Sequence, residues 1–461
     1  MKVTLLAEHD PEEPRAFDLA SASLTIPLQK AGGGIVAGDY RPSFGEGLVF
    51  SRFSRRYRTG TDVAQSISDN PANLSFEESR YLRGVFMRTG AKWCKGEAWM
   101  SRRTIDGILD DGGEVVSIDR SGLHGTYNRR SDVIERIGAA KISVSAPRSL
   151  IVSVLGAMSD YSSEFVRRPD EWASFNPEGG RFHYLSVSGA TTNPGKKLFF
   201  EHARMNGGAD ATLAGMGITR NRFTGLLLAR SYDHGWWAPH SGAISAFGET
   251  SNERGMYAAI KTALTSSTRL VASVDIARTE GRTYSHPMPF SRMSTYLGFD
   301  GRLPHNGSYK LAFRTSEDSD GEPGRWSLHA GCTHREMTSH AVTTRVLAAW
   351  SSCDGDGDGG PLLEIGCGVP GKKIRFDIDT GVFAIPDYSA RYYRYERDVP
   401  GRGMTQPVWG RGASCTMRAG IGPITIRYRH VDSDMMTATH ELTIQGRSEE
   451  RRVGKECRSR W

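Results

Sequence analysis

Gly366-Cys367-Gly368-Val369-Pro370-Gly371 has the G-x-G-x-x-G spacing that lets backbone amides approach a dinucleotide pyrophosphate. That chemistry needs a helix directly after the glycines. Here the following residues alternate as a strand and a proline interrupts the motif, so the glycines are read as a hairpin turn. Asp354, Asp356 and Asp358, followed by Gly359, resemble the opening of a calcium loop. Position twelve of that loop falls on Ile365 instead of a bidentate glutamate, so a flexible acidic hairpin loop is expected. Arg52, Arg55, Arg56 and Arg58, set among Phe53 and Tyr57, form a dense cationic cluster. If such arginines point into a pore they constrict or polarise it, and otherwise they are a solvated loop. The six cysteines show no C-x-x-C and no zinc-type histidine spacing, and no G-x-S-x-G nucleophile motif occurs. The chain therefore offers no catalytic residue, no cofactor site and no metal site.

What positions those residues follows from composition. Hydrophobic residues make up only 38% of the 461, charged residues 24%, and there are 53 glycines, too few apolar residues for several globular cores. No stretch approaches the ~18 consecutive apolar residues of a spanning helix. The longest candidate, residues 150–158, falls well short. Met1 to Leu6 runs straight into His9-Asp10-Pro11-Glu12-Glu13 without the basic and apolar regions of a signal peptide, so the start of an exported precursor is expected to be missing. Residues 447–461 (RSEERRVGKECRSRW) break the preceding pattern and read as the translation of a sequencing adapter; their six cations and three acids supply three of the seven net positive charges.

Period-two alternation dominates the rest. Ala20, Ala22, Leu24, Ile26 and Leu28 oppose Ser21, Ser23, Thr25 and Gln29, with Pro27 marking a strand end. Ile142, Val144 and Ala146 oppose Lys141, Ser143 and Ser145, while Leu270, Ala272, Val274 and Ile276 oppose Arg269, Ser273 and Asp275. Ile374, Phe376 and Ile378 oppose Arg375, Asp377 and Asp379; Ile424, Ile426 and Tyr428 oppose Thr425, Arg427 and Arg429. The polar faces are charged or hydroxylic, as a solvated lumen requires, and short turns such as Pro194-Gly195-Lys196 alternate with longer polar loops. A single helical turn is expected at residues 131–136, inside a loop.

Several longer segments resemble one family. Gly38-Asp39-Tyr40-Arg41-Pro42-Ser43-Phe44-Gly45-Glu46-Gly47-Leu48 is similar to a G-D-Y-x-x-x-F-G-x-G-L segment of the helix-hairpin-helix domain-containing outer-membrane proteins of Gram-negative bacteria. Residues 75–84 (SFEESRYLRG), 122–136 (GLHGTYNRRSDVIER), 252–257 (NERGMY), 392–399 (YYRYERDV) and 410–412 (GRG) resemble later family segments in the same order. The resemblance implies a large barrel, places Arg83 and Arg411 in lumenal charge networks, and suggests nucleic acid as a partner by analogy. No helix-hairpin-helix segment is present in the chain itself.

The expected architecture is all-β: one large antiparallel transmembrane β-barrel of about 20 strands over residues 1–446, incomplete at both ends, in the bacterial outer membrane. The expected role is structural or transport rather than enzymatic. Arg52, Arg55, Arg56, Arg58, Arg375, Arg427 and Arg429 are the candidate lumen and constriction residues. Membrane lipid and an unidentified solute or polyanion are the expected partners, and the barrel is expected to be a monomer. Two alternatives stay open, an outer-membrane barrel hydrolase of phospholipase type and a soluble secreted sandwich or propeller that binds glycans. Membrane partitioning and lipid hydrolysis separate them.

Overall fold

The computed structural model describes residues 1–8, 19–28, 32–52, 60–61, 71–73, 80–91, 93–110, 112–120, 132–146, 149–167, 176–191, 193, 195–320, 324–337, 341–353, 359–371, 374–397, 403–422 and 424–446. Among them lie the strands β1 Lys2–Glu8, β2 Leu19–Leu28, β3 Gly33–Tyr40, β4 Leu82–Gly90, β5 Cys94–Leu109, β6 Val115–Ile118, β7 Asp132–Ala146, β8 Leu150–Phe165 and β9 Gly179–Thr191. They continue as β10 Lys196–Met205, β11 Asp210–Arg220, β12 Phe223–Tyr232, β13 Glu253–Ala263, β14 Thr268–Arg278, β15 Ser291–Leu303, β16 Gly307–Asp318 and β17 Arg325–Met337. The last are β18 Ala341–Cys353, β19 Gly360–Val369, β20 Ile374–Ile385, β21 Tyr392–Arg397, β22 Gly403–Val408, β23 Gly410–Ile421, β24 Ile424–Ser433 and β25 Met436–Gly446.

All but β21 and β22 belong to one 23-stranded sheet, near the ~20 strands expected. Apart from the short β6, each strand of that sheet pairs antiparallel with the next, so the wall is a continuous meander. Among the described residues β1 pairs only with β2, and β25 only with β24. The wall curls around an interior, because residues far apart in sequence meet across it: the Tyr257 hydroxyl donates to the Gly60 carbonyl, and the Leu48 amide to the Glu201 carboxylate.

Alternation fixes the two faces. Ile142 (59% exposed), Ile276 (52%), Val382 (58%) and Leu442 (60%) point outward, while their sequence neighbours point in. Large apolar side chains left on the outside of a wall this long form a lipid-facing belt, and backbone groups inside a bilayer must be paired within the sheet, which the meander achieves. Among the described residues no helix is long and apolar enough to cross a membrane.

Connections at the two rims differ, as the turn pattern predicts. One rim has tight turns after β4, β7, β9, β11, β13, β15, β17, β19 and β23. Gly195 in the turn before β10 has φ +76°, a backbone region that suits glycine. The opposite rim carries the long connections 41–81, 110–131, 233–252 and 386–409.

Three expectations are corrected. Asp132 to Arg136 open β7 instead of forming a helical turn, because Val133, Glu135 and Ile137 alternate inward. Gly366 and Gly368 lie within β19, not in the hairpin turn, which follows Val369. A Cβ on either would collide with the carboxylate of Asp379 or Asp377, so these glycines leave space for lumenal ion pairs. Arg83 and Arg411 occupy outward positions, one residue out of phase with the inward Gly84 and Gly412; Arg83 pairs with Asp39 at 2.7 Å and its side chain is half exposed.

Candidate functional site: the lumen

Two of the long connections fold back into the barrel. Phe44, Leu48, Val49 and Phe50 from the first, and Trp236, Ala238, Ala243 and Ile244 from the second, share one buried cluster with wall residues of β3 to β13, Tyr40 at the end of β3 among them. The two segments also bond to each other, Ser51 N to His240 O at 2.9 Å and Gly242 N to Gly47 O at 3.0 Å. This half of the lumen is therefore filled.

Buried wall carboxylates hold the filling. Glu201 accepts from the amides of Glu46 (2.5 Å) and Leu48 (3.2 Å) and from the Ser186 hydroxyl (3.0 Å). Glu135 pairs with Arg103 at 2.8 Å, accepts from the Tyr161 hydroxyl, and meets His240 Nε2 at 3.0 Å. Glu253 pairs with Arg230 and accepts from the Ser245 hydroxyl (2.6 Å) and the Ala246 amide (3.1 Å). A buried carboxylate is tolerated only when its lone pairs meet donors, and all three are supplied. His240 lies on an inner segment, where burial lowers its pKa and the Glu135 carboxylate partly restores it.

A second insertion lines the other half. The β21–β22 hairpin lies against the inner wall: Arg394 pairs with Glu364 of β19 at 2.5 Å, and Glu396 meets Arg427 at 2.7 Å and Arg429 at 2.9 Å on β24. Arg427 also reaches Glu441 at 2.9 Å. The opposite face of the hairpin shows Tyr393 and Tyr395 to the interior, and Arg391 lies 3.9 Å over the Tyr388 ring.

The remaining charges sort by height. Inward acids are matched at both heights: toward the loops Asp275 with Arg230 and Asp318 with Arg292, and nearer the short turns Asp379 with Arg345 and Asp377 with Arg345 and Arg418. At the short-turn rim, register places Lys95, Lys197, Lys261, Arg302, Arg335 and Arg375 on the inward face, each two or three residues from the strand end. None of the six has an ion pair among the described residues. The acids nearest this rim are already engaged, Glu97 by Arg88 and Lys141, Asp300 by Arg269 and Asp377 by Arg345 and Arg418. Higher up, Lys310 and Arg314 are inward, exposed and without an ion pair among the described residues, Arg314 lying over the Tyr296 ring.

Of the arginines nominated from sequence, Arg427 and Arg429 come together on Glu396, deep in ion pairs. Arg375 joins the rim ring. Arg52 is on the first inner segment, its carbonyl accepting from Arg41 Nη1 at 3.4 Å. Arg55, Arg56 and Arg58, the Asp354–Asp358 loop and the 447–461 tail lie outside the described residues. The other five ring members were not singled out in the sequence. Their signal is a basic residue on the inward phase at a fixed offset from a tight turn, visible only once the turns are placed.

No family model and no curated protein matches the chain. Solved structures do match at low identity. The siderophore receptor PirA from Acinetobacter baumannii matches with a TM-score of 0.35 and 8% identity over 77% of this chain and 60% of that one. The copper transporter OprC matches with 0.37 and 10% over 78% and 60%, and PirA from Pseudomonas aeruginosa with 0.41 and 8% over 78% and 77%. The chain thus spans about 60% of the length of the first two.

Proposed function

We propose that this chain is an outer-membrane β-barrel that passes anionic solutes, with the short turns at the periplasmic rim and the long connections outside. The observation that carries the reading is the rim ring of Lys95, Lys197, Lys261, Arg302, Arg335 and Arg375, cations with no matching acid among the described residues. Rings of lysine or arginine are the usual means by which a pore raises the local concentration of anions. The inner segments narrow the route to the half of the lumen lined by β14 to β20, where Lys310 and Arg314 continue the positive surface. Polyanions belong to the same chemical class, and the resemblance to the helix-hairpin-helix barrel family favours nucleic acid among them. Membrane lipid surrounds the apolar belt, and the barrel acts as a monomer.

Liposome swelling tests the reading with anionic and cationic solutes of equal size. The anionic solute should enter faster through the purified chain. Equal or faster entry of the cationic solute would overturn the proposal.

A further inference from the structure

The outer face carries a row of charge that the lumen does not use. Arg102 of β5 is the cross-strand neighbour of Arg136 of β7, Arg136 that of Asp160 of β8, and Asp160 that of Arg181 of β9. Asp160 takes Arg136 Nη1 at 3.2 Å through one oxygen and Arg181 Nε and Nη2 at 3.2 Å through the other. Arg102 is exposed and has no ion pair among the described residues. Two guanidinium groups thus share one carboxylate, and the third stands beside them without one.

Their height matters. From Leu150 at the short-turn rim to Asp160 the strand runs roughly 33 Å, about 25 Å along the barrel axis at the usual tilt, which is the height of the apolar band of an outer-membrane barrel. Below the row, toward the turns, Met100 on β5 and Met158 on β8 come next, Ile142 follows on β7 after the outward Gly138 and Ala140, and Leu185 follows on β9 after His183. All four named apolar side chains are exposed. The row therefore sits where hydrocarbon gives way to headgroups. Four residues higher, Asp106 and Glu164 return the surface to acid.

Like charges directly opposite each other on neighbouring strands are destabilising. Arg102 and Arg136 occupy such a pair, with the only carboxylate of the row beyond Arg136 and already shared with Arg181. An anion placed between Arg102 and Arg136 would relieve that repulsion, and guanidinium groups bind phosphate through paired N–H donors. We propose that Arg102, Arg136 and Arg181 form a binding site for the phosphate of an anionic lipid headgroup in the loop-side leaflet, whose acyl chains lie on Met100, Ile142, Met158 and Leu185.

The test is native mass spectrometry of the purified full chain released from detergent with bis-phosphorylated lipid A or with zwitterionic phosphatidylcholine. Lipid A should be retained and phosphatidylcholine lost, and excess inorganic phosphate should not displace the lipid, since the acyl contacts belong to the site. Arg102→Gln leaves both Asp160 pairs intact and should weaken lipid A retention about fivefold, the contribution of one basic residue at an anionic lipid surface. The triple Gln variant should weaken it roughly a hundredfold, while the triple Lys variant should keep most of it. Equal retention of lipid A by the Arg102→Gln chain and the unaltered chain, with both showing the same heat-modifiable migration, would overturn the site. Displacement by inorganic phosphate alone would show an anion site without a lipid partner and would overturn it as well.

Discussion

Neutralising the rim ring should abolish charge selectivity in a way that dilution of salt reveals. An ion passing about 10 Å from two ring cations feels roughly 0.4 kcal/mol from each in a water-like dielectric, about 0.8 kcal/mol together. At 0.1 M salt the Debye length of ~10 Å reduces this to roughly 0.3 kcal/mol. The sign reverses between anion and cation, so the two differ by about 0.6 kcal/mol, close to a threefold preference for anions. At 0.01 M the Debye length is ~30 Å, the difference grows to about 1.2 kcal/mol, and the preference reaches roughly eightfold. Reversal potentials in a potassium chloride gradient across planar bilayers measure this ratio. The chain with Lys95, Lys197, Lys261, Arg302, Arg335 and Arg375 all replaced by Gln should fall toward unity at both salt concentrations. Heat-modifiable migration checks that the variant has folded. A ratio that does not rise on dilution, or one that survives the six substitutions, would refute the electrostatic reasoning.

Three further outcomes follow from the buried acids and the inner segment. Glu253→Ala leaves Arg230 buried with Asp275 as its remaining acid and should cost about 3–5 kcal/mol of stability; it should also open the 233–252 segment to chymotrypsin at Trp236, Trp237 and Phe247, and resistance equal to the unaltered chain would count against the tether. Glu396→Gln removes the carboxylate shared by Arg427 and Arg429 and should raise anion preference in bilayers while lowering the thermal midpoint; an unchanged reversal potential would show that these arginines do not reach the pathway. Burial lowers the His240 pKa, so on acidification the unfolded chain takes up the proton first: the contribution of His240 to holding its segment is present above about pH 6.5 and is lost as pH falls below it. Chymotrypsin sensitivity of the segment should rise between neutral and mildly acidic pH, and a His240→Gln chain should lose that dependence.

The wall was legible in the sequence because lipid and water impose opposite demands on alternate residues, and Ile374 to Asp379 or Ile424 to Arg429 satisfy both in plain order. The filling was not. Phe44, Leu48 and Phe50 lie in a connection with no periodicity, since their partners are on β4, β5 and other distant strands. Likewise Glu135, Glu201 and Glu253 look like ordinary lumenal acids until the amides and hydroxyls facing them are known. Arg427 and Arg429 show the same limit: the alternation puts them inside, but whether they are open to solute depends on Glu396, which reaches them on a hairpin. Arg83 and Arg411 failed for a local reason, because the inward phase there belongs to glycines.

Gly45 tests how tightly the first inner segment is matched to the wall. Its φ of +48° is a left-handed conformation that costs a side-chain-bearing residue about 1 kcal/mol or more. A Cβ there would also stand 2.7 Å from Glu201 Oε2 and 2.9 Å from the Ser188 Cβ. The carboxylate must then move from the Glu46 and Leu48 amides, leaving buried donors without an acceptor, at a further cost of about 1–3 kcal/mol. Gly45→Ala should therefore destabilise the barrel by roughly 2–4 kcal/mol in a reversible unfolding measurement. Glu201→Gln weakens the same acceptor directly. If both act through one contact, the double variant should cost less than the sum of the two single costs, by about 1 kcal/mol or more. Additive costs would show that Gly45 is needed only for its backbone conformation, and that Glu201 does not fasten the segment.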